Sequence, residues 1–343
     1  MTQAVAPTRG ERRNIATLER LAVRLPRLLK LAAAGIRLVI SVDCGTLAYG
    51  ALAAAAAAGL EVIVVDHHLA EAALPAAVAV INPNRLDESG GHRQLAAVGV
   101  AYLLVVAVNR ALRASGWYAA RPEPNLLQWL DLVALGTVCD VVPLTGINRA
   151  LVGQGLKLLA QRGNLGLAAL ADVAGLHEPP GCFHLGFLLG PRVNAGGRVG
   201  QADLGARLLT TTDAAEAATL ARELDRLNAE RRAIETLVQE DAEARVLAAG
   251  DAAGTAASLV VAAGHGWHQG VIGIVAARLK ERFRRPALVV ALDGGIGKGS
   301  ARSVPGVDLG SAVTAAHQAG LLINGGGHAM AAGLTVAEAR LAE

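Results

Sequence analysis

Glu61-Val62-Ile63-Val64-Val65-Asp66-His67-His68 decides how this chain is read. Four apolar β-branched residues follow Glu61 and stop at three polar ones. A run of this length, apolar without alternation, reads as a strand buried on both faces. Asp-His-His directly after it demands an explanation, because burying three polar groups costs several kcal/mol unless partners satisfy them. Upstream, Arg37 to Val42 (RLVISV) is a second such run and ends at Asp43-Cys44-Gly45. Between the two lies an Ala-rich helix, Ala48 to Gly59, with Gly59 placed to cap its C-terminus. Downstream, Val78 to Ile81 is a third run, ending at Asn82-Pro83. Strand, helix, strand with continuous apolar strands predicts a parallel sheet covered on both faces. In such sheets ligands bind beyond the carboxyl ends of the strands, where Asp43 and Asp66-His67-His68 fall.

Further along, Asn125 to Thr137 reads as a helix that delivers Cys139-Asp140. Gly190 to Gly200 (GPRVNAGGRVG) reads as a Gly-rich basic loop. Thr212 to Ala249 is a long charged helix with Leu220, Leu224, Leu227 and Ile234 on one face. Asp213 followed by Glu216 makes a capping-box-like start to it. Ser258 to Ala263 and Ala287 to Leu292 read as strands flanking an amphipathic helix from Val271 to Arg282, followed by Gly294 to Arg302 (GGIGKGSAR). The predicted organisation is an α/β domain over 1–211, a connecting helix over 212–250 and a smaller α/β domain over 251–343.

Composition narrows the choice. With 343 residues, 53% of them hydrophobic, the chain has core enough for two domains. Only 3% are aromatic, so that core is built from Ala, Leu and Val. A net charge of +3 does not by itself indicate nucleic acid. The longest uncharged apolar stretches, Leu47 to Leu60 and Leu95 to Val108, are too short to cross a bilayer. No apolar segment with a small-residue cleavage site follows the basic start. Cys44, Cys139 and Cys182 are too widely spaced for a disulfide framework or a C-x-x-C zinc site. A reducing cytoplasm and no membrane are the expectation.

Asp43, Asp66, His67, His68 and Asp140 are the residues that can carry chemistry. Carboxylates with imidazole suit a divalent metal, and a thiolate-free, Asp-rich set favours Mn²⁺ or Mg²⁺. Two such ions can clamp a phosphoryl group and activate a water for in-line attack. In the basic segment, two Arg framing glycines suit the close approach of a phosphate, although a solvated loop is an equal reading of the same residues. Gly294 to Gly299 lacks the spacing of a Walker loop, and a tight β-turn is its plain reading.

Asp43-Cys44-Gly45, Asp66-His67-His68 and Cys139-Asp140-Val141-Val142-Pro143-Leu144 resemble three motifs of the DHH phosphoesterase superfamily. Gly190-Pro191-Arg192-Val193-Asn194-Ala195-Gly196-Gly197-Arg198, Gly266-Trp267-His268-Gln269-Gly270, Gly299-Ser300-Ala301-Arg302 and Gly326-Gly327-His328-Ala329-Met330 narrow it to the RecJ family of single-strand-specific 5′-to-3′ DNA exonucleases. The resemblance covers residues 36 to 336. It implies a parallel-sheet DHH phosphoesterase domain joined by a long helix to a smaller, DHH-associated α/β domain. It implies metal-dependent phosphodiester hydrolysis on single-stranded DNA in repair and recombination, with Mn²⁺ or Mg²⁺ in a two-metal site. Single-strand-binding protein and repair helicases are the implied partners. Asp43, His67 and Asp140 are the implied metal ligands, Asp43 bridging. Asp66 and His68 are implied to orient those ligands and touch the scissile phosphate. Arg192, Asn194 and Arg198 are implied to meet the backbone near the scissile bond. Ser300 and Arg302 would hold the 5′ end, with His328 near the same phosphates.

The family's first motif, an Asp-x-Asp at the end of a first strand, has no counterpart ahead of Asp43. That residue is the first aspartate in the chain, and residues 1–42 hold only Glu11 and Glu19 as acids. The OB-fold into which RecJ proteins usually continue is not reached by Glu343. The expectation is a RecJ core trimmed at both ends, with an incomplete second metal site and impaired turnover. Two other readings compete: a DHH phosphodiesterase acting on short oligonucleotides or cyclic dinucleotides, and a non-catalytic RecJ-like scaffold that binds DNA.

Overall fold

The computed structural model describes residues 25–253 and 258–343. The chain divides into two compact units. One holds the described residues up to Gly197 together with Gln201–Asp225; the other holds Arg198–Gly200 and Arg226–Glu343.

The first unit is built on three parallel strands in the order β1 (Leu38–Val42), β2 (Glu61–Val65), β3 (Ala79–Ile81). Alternate residues of β2 face opposite sides, as the two-residue period of a strand requires. Val62 and Val64 pack with Leu52 and Ala55 of α2 (Tyr49–Ala57) and with Leu28 of α1 (Leu25–Ala33). Ile63 and Val65 pack with Leu95 and with Val100 of α3 (Ala97–Ala114). Gly59 closes α2 as expected: its φ is 76°, and Leu60 N–H reaches back to Ala55 O, the long bond of a Schellman cap.

Two expectations change here. The sheet is not covered on both faces along its whole width: Leu38, Ile40 and Val42 of β1 lie exposed on one face among the described residues. The apolar cluster on that side, built on Leu95 and Val100, packs on Ile63 and Val65 of β2 and Ile81 of β3. The helix that holds most of the apolar stretch Leu95 to Val108 also continues past it, through Asn109 and Arg110. It runs to Ala114, 18 residues long, and by length and composition alone that is enough for a membrane span. A core helix passes the same test. This one buries Val100 against the sheet and ties Asn109 to Glu123 and Tyr118.

α4 (Leu130–Cys139) begins later than predicted, because residues Leu126–Trp129 form a 3₁₀ turn capped by Asn125. α5 (Gly146–Ala160) packs tightly on α4. α6 (Leu165–Val173) follows, then a π-helical turn (His184–Leu189), α7 (Gly190–Val199) and α8 (Leu204–Thr210). The predicted loop over 190–200 is therefore helix. Gly190 and Gly196 are there for packing rather than for turning: a Cβ on Gly190 would stand 2.3 Å from Cys139 Sγ, and one on Gly196 2.7 Å from Gln201 O.

The long helix α9 (Ala214–Ala253) is capped by Asp213, whose Oδ1 accepts from Ala215 and Glu216 N–H. The boundary between the two units falls within it, between Asp225 and Arg226. Val238 and Ala242, beyond that point, enter the core of the second unit. That unit has a five-stranded sheet in the order β4-β5-β6-β8-β7. β4 (Val260–His265) and β5 (Ala287–Asp293) are parallel across α10 (Ile272–Phe283). β5 and β6 (Ile296–Arg302) form a hairpin through Gly294 and Gly295, whose φ of 55° and 78° suit a two-residue type I′ turn. β8 (Ala331–Ala337) and β7 (Asn324–His328) complete it antiparallel, with α11 (Leu309–Gln318) before them.

The α4–α5 contact gives a paired test. A Cβ on Gly155 would stand 2.1 Å from Leu130 O and 2.5 Å from Ala134 Cβ, whereas Gly153 on the same helix has open space. Gly155→Ala is expected to lower unfolding stability by about 1–3 kcal/mol from overpacking. Gly153→Ala is expected to raise it by about 0.5–1 kcal/mol through helix propensity. Urea melts of the two variants against the parent measure both signs.

Candidate active site

Parallel pairing of β1 and β2 aligns Val42 with Val65, so the residues after each strand emerge side by side. Asp43 continues the ladder by donating its N–H to Val65 O at 2.9 Å. It then turns with φ 64°, in the left-handed region that aspartate tolerates. Gly45 at φ 124°, a conformation side chains rarely adopt, swings the chain back so that Thr46 faces β2.

Asp66 organises what lies beneath. It is 1% exposed and its carboxylate accepts five hydrogen bonds. Oδ2 takes Thr46 N–H at 3.1 Å and Thr46 Oγ1–H at 2.7 Å; Oδ1 takes His67 N–H at 2.8 Å, His68 N–H at 3.3 Å and His68 Nδ1 at 2.7 Å. These bonds hold the carboxyl well below the usual carboxylate range against the opposing effect of burial. Enclosed in this way, Asp66 orients Thr46 and the two histidines around it. His68, half-exposed, is drawn up from the ordinary imidazole value by its bond to Asp66.

His67 is the meeting point above it. Its Nδ1 lies 3.1 Å from Leu95 O, which fixes the tautomer with Nε2 free to face the carboxylates. Nε2 is 3.3 Å from Asp43 Oδ1 and 3.5 Å from Asp140 Oδ2. Asp43, His67 and His68 each bring one ligand atom within 4.8 Å of the others. Asp140 arrives from elsewhere, as the C-terminal cap of α4. Burial and the nearby Asp43 push its carboxyl up, opposed by the two imidazoles. The hydrogen bond that His67 Nε2 donates to Asp43, with Asp140 nearby, raises His67 against burial. Carboxylates gathered around an imidazole whose far nitrogen is tied to a backbone carbonyl form a donor set suited to a hard or borderline divalent cation.

Next to Asp140, Val141 has φ 60° and is 88% exposed. A β-branched residue in the left-handed region is a genuine outlier costing about 1–3 kcal/mol. Cys139 is no nucleophile: burial pushes its thiol up to about 11, and it donates to Leu185 O at 3.6 Å.

The remaining predicted residues separate. Arg192, expected at the phosphate backbone, is turned inward instead. Its Nε donates to Asp225 Oδ1 at 2.8 Å and its Nη1 to Leu188 O at 2.7 Å, because its position on α7 faces α9. Asn194 is exposed on the same helix. Arg198 belongs to the second unit, where Nη1 donates to Gly270 O at 3.2 Å. Burial and the nearby Arg302 draw its pKa down, opposed by Glu235. Arg302 donates to Ser300 Oγ at 3.1 Å, and both sit against the first turn of α10: a Cβ on Gly273 would stand 3.0 Å from Ser300 Oγ and 3.1 Å from Arg302 Nη2. Arg198, Ser300 and Arg302 thus gather in one unit, near a helix N-terminus that favours anions. His328 lies exposed at the end of the edge strand β7.

Sequence reasoning did not single out Thr46, Asn82 and Asn84. Asn82 Nδ2 donates to Thr46 Oγ1 at 2.9 Å and to His68 O at 2.8 Å; Asn84 Nδ2 donates to His67 O at 2.5 Å. The available signal was position: Asn82-Pro83-Asn84 ends the third strand as Asp43 and Asp66 end the first two.

Two family models match: "DHH family, N-terminal domain" over residues 2–137 and "DHHA1 domain" over 256–343. A single-stranded-DNA-specific exonuclease RecJ of Dickeya dadantii is 44% identical over 320 residues, 91% of this chain and 55% of that protein. The structure of RecJ in complex with Mn²⁺ from Thermus thermophilus is similar at 36% identity and TM-score 0.76, over 92% of this chain and 44% of that one. A structure of exonuclease RecJ bound to manganese is 35% identical at TM-score 0.74, and here the match spans 75% of that chain. The chain belongs to the RecJ family. It spans about half the length of the curated RecJ relatives it matches. Two of the RecJ structures it resembles hold manganese, and a third holds Mg²⁺.

Thr46→Val removes the hydroxyl that donates to Asp66 and accepts from Asn82. It is expected to cost about 1–3 kcal/mol, because it leaves buried partners unsatisfied, while Thr46→Ser retains most of the stability. Chemical denaturation of both variants checks this.

Proposed function

We propose that this chain carries the hydrolytic core of a RecJ-type exonuclease, cleaving phosphodiester bonds of single-stranded DNA from a 5′ end with Mn²⁺ or Mg²⁺. The observation that carries this reading is the convergence of Asp43, His67 and Asp140 at the carboxyl end of a parallel sheet. The manganese-bound RecJ structures among its relatives support the same reading.

Asp43, His67 and Asp140 would hold the cation, and His68 stands beside them. A bound divalent ion supplies Lewis acidity toward a phosphoryl oxygen and lowers the pKa of water. The chain's own residues prepare the site. Leu95 O fixes the His67 tautomer, Asp66 fixes the backbone that carries both histidines, and Asn84 braces His67 O. Ser300, Arg302 and Arg198 are the candidates for the 5′ phosphate, and Asn194 for the backbone. Arg192 supports α7 from within. Single-strand-binding protein and repair helicases are the partners this reading implies.

On this reading the chain binds Mn²⁺ and single strands of DNA at the same constellation.

In a thermal-shift titration Mn²⁺ should raise the melting temperature by mass action. His67→Ala and Asp140→Asn should each abolish most of that rise. An unchanged shift in both variants would remove the constellation as the metal site.

A further inference from the structure

The chain contains only three phenylalanines, and two of them stand in solvent. Phe183 and Phe187 are each 67% exposed, and their rings stack on one another with centroids 5.2 Å apart and planes 25° from parallel. In a core this short of aromatics, two stacked rings left outside are not spare packing.

The segment beneath them is held firmly. The π-helical turn His184–Leu189 buries Leu185 and Leu189 completely. Gly186 lies over Val138, Gly190 over Cys139 Sγ, and Leu185 O accepts from Cys139. His184 pins the entry, with Nδ1 accepting from Gly181 N–H at 2.9 Å and Nε2 lying 2.9 Å from Glu178 Oε1. The widened π turn is a form that recurs at functional sites. Its packing partner is the last turn of α4, the turn that ends at Asp140 and the exposed, strained Val141. The ring pair and the candidate metal ligand Asp140 therefore stand on two elements packed directly together in the same unit.

We infer that Phe183 and Phe187 form a stacking platform for unpaired bases of single-stranded DNA entering the candidate active site. This rests on the RecJ-type reading above and adds residues that select the single strand. Every base has a flat π face, and stacking on an aromatic ring is tolerant of sequence. In a duplex those faces are covered by neighbouring base pairs, so a platform of this kind discriminates by strandedness rather than by sequence. The rings are held in place before the strand arrives, so little ordering cost opposes binding. A second copy of the chain or a protein partner would also cover two apolar rings. Continuity with the Asp140 helix favours the strand.

The test uses the full 343-residue chain and fluorescence anisotropy with two 5′-phosphorylated strands of equal length, one normal and one built of abasic tetrahydrofuran units. The parent chain should bind the normal strand more tightly. Replacing both rings (Phe183→Leu with Phe187→Leu) should weaken binding of the normal strand about tenfold or more and leave the abasic strand unchanged. Phe183→Trp with Phe187→Trp should restore the preference, and added tryptophan fluorescence should be quenched by the normal strand alone. Because both rings are exposed, circular dichroism melts of the Leu variant should match the parent. Equal weakening on both strands, or none on either, overturns the platform while leaving the RecJ-type reading intact. A parent chain that binds neither strand overturns both. A parent dimer in sedimentation that the Leu variant dissolves assigns the rings to a second copy and overturns the platform.

Discussion

The buried carboxylate of Asp66 is the constraint on which the first unit's chemistry depends. A charge at the end of a central strand, shut away from water, is tolerable only if every lone pair finds a donor. Five donors do so, and satisfying them dictates the neighbourhood. The loop after β1 must fold back to deliver Thr46, which is why Gly45 takes a conformation closed to other residues. Both histidines must offer their backbone N–H groups to the same oxygen, which lifts their rings to the sheet's rim. Asn82 and Asn84 then tie the end of the third strand to the same cluster. The result is a rigid floor of neutralised polar groups under a mouth of carboxylates and imidazoles that are not satisfied internally in the same way.

Backbone strain marks the rim of that mouth. Asp43 and Val141 both sit at positive φ, one leading into the site from a strand and the other leaving it from a helix. For Asp43 the cost is slight, since a short polar side chain tolerates this region. For Val141 it is real: its N–H donates to Val138 O at 3.2 Å, but its side chain faces solvent and adds no packing to offset the strain. Strain that persists is held by its surroundings. Here the surroundings are the α4 helix end, locked by the Gly190–Cys139 approach and by the close packing of α5 at Gly155. The same helix thus fixes Asp140 against His67 and supports the π turn that presents the two phenylalanines.

The second unit solves a different problem, holding positive charge. Arg231 is buried and leans on Glu235 and Asn228, and Glu235 also lies 3.8 Å from Arg278. Arg198 and Arg302 feel each other closely enough that repulsion adds to burial for Arg198. Two carboxylates, Glu235 and Glu281, among the guanidinium groups of Arg198, Arg231, Arg278 and Arg302 leave the cluster with a net positive field, which suits phosphate. Close approach at Gly273 and Gly270 lets that field meet the first turn of α10, and a larger residue at either position would push the arginines away.

The sequence by itself marked the three strands of the first unit, the helix between β1 and β2, and β4 and β5, and it put Asp43 and His67 forward as candidates because each strand's apolar run ends at a polar residue that cannot belong to it. Asp140 ends a helix and was put forward only through its motif, and the Gly- and Ala-rich β6, β7 and β8 carried no apolar run to mark them. The sequence also determined the Asp213 cap, where local chemistry leaves few options; the tight turn expected over Gly294 to Gly299 closes within Gly294-Gly295, and the rest of that span is strand β6. The sequence could not tell that residues 190–199 are helical, because glycine in a basic string has the same local preference whether it turns or packs, and only the Cys139 and Gln201 contacts decide between them. Arg192 and Arg198 are alike in sequence, yet Arg192 turns inward to Asp225 while Arg198 joins the second unit. Helical position sets that difference. Thr46 and Val141 carried no signal either, since a buried hydroxyl partner and a strained φ exist only once distant segments are packed. Local pattern fixes which residues can do chemistry, and packing fixes which of them meet, because the hydrogen bonds and close approaches that orient them link residues far apart along the chain.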